Sequence, residues 1–141
     1  MSDTITPYRI NKLLKTYVNE PRINLNRAYV GIPYTGIEKH SFHVSNLVTA
    51  GLMKMGYIVH APISQYHMVA LAGGLPGDAN YWKHVNEEFI QWCDILFVVN
   101  PYPNSRVGDE LIENSRGLQH EIATAKRYNK FISILLNQDL S

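Results

Sequence analysis

Apolar positions along the chain fall into two kinds of run, and their alternation sets the architecture. Ile10, Leu13, Leu14 and Tyr17 recur at helical spacing, so Tyr8 to Asn19 reads as a short amphipathic helix that ends before Pro21. Arg27 to Ile32 is a compact apolar run of the kind that forms a buried parallel strand, with Pro33 to Ile37 as the loop after it. From Glu38 to Met55, Phe42, Leu47, Val48, Leu52 and Met55 share a helical face, and Gly56 supplies the stop. Tyr57 to Ala61 is the second strand.

Pro62 to Ala79, with Gly73 to Asp78 inside it, reads as a long loop. Asn80 to Trp92 is a helix with Tyr81, Trp82, Val85, Phe89 and Trp92 on one face, and Asp94 closes it. Ile95 to Val99 is the third strand, followed by a polar loop from Asn100 to Glu113 that carries Arg106, Asp109 and Glu110. Arg116 to Tyr128 is the last helix and Phe131 to Leu136 the last strand. Strands alternating with helices predict an α/β, flavodoxin-like (Rossmann-like) three-layer domain over residues 27–141. Its parallel sheet has four to five strands in the order 2-1-3-4, and residues 1–26 precede it as a helical extension.

Composition adds limits rather than identity. The chain has 141 residues, enough for one domain, with 45 % hydrophobic and 18 % charged residues. A net charge of +1 gives no electrostatic reason to expect a nucleic-acid polymer or an anionic membrane as partner. The single cysteine, Cys93, rules out an internal disulfide and reads as a buried thiol. No apolar run has the length of a membrane span and no signal-peptide core is evident, so a cytoplasmic location is expected. The six histidines, at 40, 43, 60, 67, 84 and 120, offer no complete ligand set, so neither a metal nor a cofactor is expected.

Candidate chemistry concentrates in Asn114 to Ala125. A polar turn with a glycine opens a helix after the third strand, which aims unpaired N–H groups and the positive dipole end at the segment Ser115, Arg116, Gly117 and Leu118. That is a place for a phosphate. Glu121 follows within about a turn, facing either the same cleft or solvent. Ser and Asn ahead of a glutamate are also how ordinary helices are capped, so the stretch alone leaves both readings open. Ligands of parallel α/β sheets bind beyond the carboxyl ends of the strands, and the loops there bring Tyr29, Tyr34, Asp78 and Glu121 to one rim.

Four pieces of the chain resemble the nucleoside 2-deoxyribosyltransferase-like superfamily, which includes deoxynucleoside 5′-monophosphate N-glycosidases and small bacterial and phage proteins of unassigned activity. They are Tyr29-Val30-Gly31-Ile32-Pro33-Tyr34; Gly74-Leu75-Pro76-Gly77-Asp78 with Tyr81-Trp82; Phe89 to Val99 with Cys93-Asp94; and Ser115-Arg116-Gly117 with Glu121-Ile122-Ala123 and Ala125. The resemblance spans Ala28 to Leu135. It implies that Glu121 is a nucleophile attacking the anomeric carbon of a (deoxy)nucleotide, with Tyr29 as its contact. Ser115, Arg116 and Gly117 would hold the 5′-phosphate, with Gly31, Ile32 and Tyr34 lining the substrate site. The general acid of that superfamily is an aspartate eight residues before the position of Asp94, where this chain has Asn86. An amide cannot deliver a proton, so Asn86 is expected to hydrogen-bond the base and Asp78 is the substitute acid, ahead of Glu87. The resemblance also implies a homodimer or larger oligomer.

Overall fold

A computed structural model describes residues 26–77, 79–103 and 105–135. The expected helix at Tyr8 to Asn19 and the candidate acid Asp78 lie outside the described residues. Strand β1 (Arg27–Gly31) is followed by helix α1 (Glu38–Lys54), β2 (Ile58–His60), α2 (Pro62–Gly73) and α3 (Ala79–Trp92). Strand β3 (Ile95–Val99), helices α4 (Arg106–Asn114) and α5 (Arg116–Arg127) and strand β4 (Phe131–Leu135) complete it. The sheet runs β2-β1-β3-β4 with every pairing parallel, the predicted order. The domain is a three-layer α/β fold of the flavodoxin-like kind.

The period of two along the strands sorts the core into two halves. Ala28, Val30, Ile32, Ile95, Phe97 and Val99 meet Val44, Val48 and Leu52 of α1 on one face. Tyr29, Leu96 and Val98 meet Ile90 of α3 and Leu118 and Ala125 of α5 on the other. β3 is buried at every position, which is why it reads as an unbroken apolar run. At the start of the central strands Arg27 clamps Asp94, through its backbone N–H and both ends of its guanidinium. Burial alone would raise the Asp94 carboxyl, but these bonds outweigh it and hold it below its ordinary value.

Two segments expected as loops are helices. α2 begins with Pro62 at its first position, where the missing N–H costs nothing, and ends at Gly74, whose φ of 65° is the left-handed cap that glycine adopts without strain. The residues that read as loop punctuation are the helix's own caps. Its apolar side chains do not lie on one stripe: Pro62 is its one buried residue, while Met68, Val69 and Leu71 are exposed. α4 likewise lies inside the expected Asn100–Glu113 loop, and Ser105 caps it by accepting from the Val107 N–H at 3.0 Å.

Helix faces also shift. The buried face of α1 is Ser41, Val44, Ser45, Val48 and Leu52; of the expected set Val48 and Leu52 are buried, Leu47 packs half-buried against the core, and Met55 is exposed. Both serines are tolerated there because they are satisfied: Ser41 donates to the Pro33 carbonyl at 2.5 Å and Ser45 meets the Ser64 hydroxyl at 2.7 Å. In α3 Ile90 is the fully buried residue, Phe89 and Trp92 pack beside it, and Tyr81 stands exposed. No helix among the described residues is long and apolar enough to cross a membrane.

Candidate active site

A cavity of about 560 Å³ opens beyond the carboxyl ends of β1 and β2, a volume within the range of small-molecule sites. Its walls are the turn after β1 (Ile32, Pro33, Tyr34, Thr35), one side of α2 (Ile63, Tyr66, His67, Ala70), the start of α3 (Ala79, Asn80, Trp82, Asn86) and the α4–α5 junction (Leu111, Asn114 to Leu118). Glu121 reaches in from α5.

Glu121 faces the cleft. The residue is 7 % exposed, and its carboxylate accepts a hydrogen bond from the hydroxyl of Tyr29, a fully buried residue of the central strand β1. Burial pushes the Glu121 carboxyl up to about 7, and the Tyr29 hydroxyl opposes that rise. Burial, and then the neighbouring carboxylate, keep the phenol of Tyr29 protonated. Gly31, expected to line the substrate site, stands against Leu118 and Glu121. A side chain on it would stand 2.9 Å from the Leu118 Cδ1 and 3.1 Å from the Glu121 Oε1, so its bare backbone makes the room in which the carboxylate lies.

The α4–α5 junction both caps a helix and lines the cavity. Ser115 ends α4 and caps α5, its hydroxyl accepting from the Leu118 N–H at 3.2 Å. It is a capping residue that also lines the cavity. Arg116 and Gly117, the first residues of α5, have no helical carbonyl four residues back to bond, so their N–H groups belong to the helix end that attracts anions. The Arg116 side chain is exposed at the same rim.

Asn86 also lines the cavity, and its side-chain oxygen is buried with no hydrogen-bond partner. A buried amide oxygen left unpaired costs about 1–3 kcal/mol, so this one is set to accept from something that enters the cavity. Glu87 is not aimed there. It pairs with His120 at 2.7 Å. Among the described residues no group of three His, Cys, Asp or Glu side chains is placed to hold a metal ion.

Three aromatic wall residues escaped the sequence reading in whole or part. Tyr66 and His67 come from the segment that reads as a loop. Trp82 was assigned to a packing stripe, but it stacks on Tyr66 at 5.3 Å between centroids and donates to the Pro76 carbonyl at 2.8 Å. Below the cavity His60 lies parallel to Phe89 at 3.7 Å, and burial lowers it to about 4. No local signal marks these residues, because their meeting depends on α2 crossing beside α3. Asn100, just beyond β3, was also missed. It binds the Tyr102 N–H at 2.8 Å and the Asp109 carboxylate at 3.2 Å, and so fixes α4 against the sheet.

No curated protein and no solved structure matches the chain. One family profile does, over residues 26–136, from β1 through β4 and so over both residues of the Tyr29–Glu121 pair. The chain therefore belongs to the family described as a domain of unknown function, DUF1937.

Proposed function

We propose that this domain cleaves or exchanges the N-glycosidic bond of a (deoxy)nucleoside 5′-monophosphate, with Glu121 as nucleophile. The observation that carries the reading is a buried carboxylate, bonded to a buried tyrosine, standing in a nucleotide-sized cavity whose rim is a helix N-terminus. The resemblance to the nucleoside 2-deoxyribosyltransferase-like superfamily points the same way.

The arrangement supplies the phosphate site and the nucleophile. The N–H groups of Arg116 and Gly117, with the Arg116 guanidinium, hold the phosphate and set the sugar over Glu121. A desolvated carboxylate is a stronger partner for the positive charge that develops at the anomeric carbon than a hydrated one. Collapse onto that carbon gives a glycosyl-enzyme, which water or a second base resolves. Tyr29 holds one carboxylate oxygen and leaves the other for attack. With its carboxyl near 7, Glu121 is about half ionised at neutral pH.

A second reading, a nucleotide sensor without turnover, rests on Asn86, which binds but cannot protonate a leaving base. The two separate in one paired assay on a panel of (deoxy)nucleoside monophosphates: thermal shift for binding, and chromatography of released base, on wild type and Glu121→Ala. Base release that vanishes in the alanine variant establishes the enzyme and names its substrate. A thermal shift without release, with and without an acceptor base, establishes the sensor. Neither signal sinks both.

A further inference from the structure

The superfamily's acid is absent at Asn86, yet a neutral purine or pyrimidine leaves slowly unless it is protonated. Among the described residues lining the cavity, the one imidazole is that of His67, a side chain that can give a proton from one ring nitrogen while the other stays hydrogen-bonded; Glu121 is already the nucleophile. His67 is on α2, a different wall from the one that carries Glu121. Its ring is held on two sides: it lies on Phe42 at 4.5 Å between centroids, tilted 26°, and its Nδ1 meets the Tyr34 hydroxyl at 2.5 Å. A hydroxyl can donate to a neutral imidazole or accept from an imidazolium. Tyr34 therefore keeps the ring in place through both protonation states, while burial keeps its own phenol protonated.

Resting on the glycosidic reading, we infer that His67, positioned by Tyr34, is the proton donor to the departing base. The imidazolium donates from Nε2 and keeps its Nδ1–H on the Tyr34 oxygen. As a Glu121 oxygen bonds the anomeric carbon, the C–N bond breaks with its electron pair going to the base nitrogen, and that nitrogen takes the Nε2 proton. In the second half water bonds the anomeric carbon and gives a proton to Nε2, while the ester bond to Glu121 breaks and returns the carboxylate. The sum is nucleotide plus water giving sugar phosphate plus base. Asn86 then has a binding task only: its unpaired oxygen accepts an N–H of the base.

The test uses leaving groups that differ in their need for a proton. Deoxyguanosine and deoxyadenosine 5′-monophosphates are compared with their N7-methyl derivatives, whose cationic bases depart as neutral molecules unaided. In His67→Gln the rate on the parent nucleotides falls relative to the methylated ones, shifting the ratio by about 10²-fold or more. Tyr34→Phe, which keeps the ring, shifts it in the same direction by about two- to tenfold, and carries the test if the glutamine variant fails to fold. A ratio unchanged in both variants overturns the inference, and so does wild type acting on the methylated nucleotides alone. Glu121→Ala abolishing release from all of them keeps the glycosidic reading whatever His67 does. No release by wild type from any of them, nor from the pyrimidine nucleotides of the wider panel, overturns both.

Discussion

Removing one hydroxyl tests whether the buried pair tunes its carboxylate as described. Tyr29→Phe leaves the ring in the core and deletes the single hydrogen bond that opposes the burial of Glu121. A hydrogen bond to a charged acceptor is worth about 1.5–3 kcal/mol. At about 1.4 kcal/mol per pH unit, its loss raises the Glu121 midpoint by roughly one to two pH units from its starting point near 7. In the proposed chemistry the ionised form is the nucleophile, which gives the direction: the variant carries less of it at every pH below the new midpoint. At pH 7 the ionised fraction drops from about one half to about one tenth or less, and kcat/KM falls by about 5- to 50-fold. The deficit shrinks toward pH 9. The measurement that needs no substrate is a carbon NMR titration of protein labelled at the glutamate carboxyl, with Glu121→Gln to assign the signal. A midpoint that stays put or moves down in Tyr29→Phe would refute the argument.

Two further outcomes are read in folding stability rather than in turnover. Glu121 holds its proton up to about 7 in the folded chain but only to 4.5 when unfolded, so folding stability present below pH 4.5 is lost as pH rises through 7, by on the order of 3 kcal/mol. Glu121→Gln stays neutral, so in urea titrations its advantage over wild type grows between pH 5 and pH 8; parallel profiles would contradict the burial assigned to the carboxylate. His60, lowered to about 4, acts in the opposite sense, its contribution lost as pH falls below the ordinary imidazole range, and it flattens the wild-type curve. Gly108→Ala places a methyl group 1.8 Å from the Asn100 Oδ1 and is expected to cost about 1–3 kcal/mol, seen as a lower Tm. Adding Asn100→Ala recovers part of that loss in a double-mutant cycle, whereas simple additivity would show that the two do not meet.

What was legible in the sequence is what repeats along a short stretch of chain. The strands and their order follow from continuous apolar runs that only a covered parallel sheet can bury, and β3 is such a run. α2 was hidden because Pro62 and Gly73-Gly74 are read as breakers when counted and as caps when placed. The direction of Glu121 could not be read from the capping pattern, since the sequence alone does not fix where the helix begins; with Ser115 as its cap, Glu121 stands beyond the first turn. Its direction is settled by the missing side chain of Gly31, in a strand ninety positions earlier in the chain. Asn86 and His67 were visible as residue types, but an unpaired amide oxygen and a tyrosine-held ring are properties of a neighbourhood.

Tyr29 and Glu121 are 92 residues apart in sequence, and that separation has a consequence for biosynthesis. A chain growing from its amino end makes the tyrosine early and its acidic partner close to the end of the domain. A polypeptide that stops after β3 possesses the strand that anchors the centre of the sheet, but not the helix that supplies the charge or the anion-attracting terminus. Closing a loop of that length has an entropic cost that rises with its logarithm, and docking α5 beside α3 repays it. Any ligand that needs both residues therefore selects against incomplete chains: it stabilises finished molecules and gives nothing to the rest.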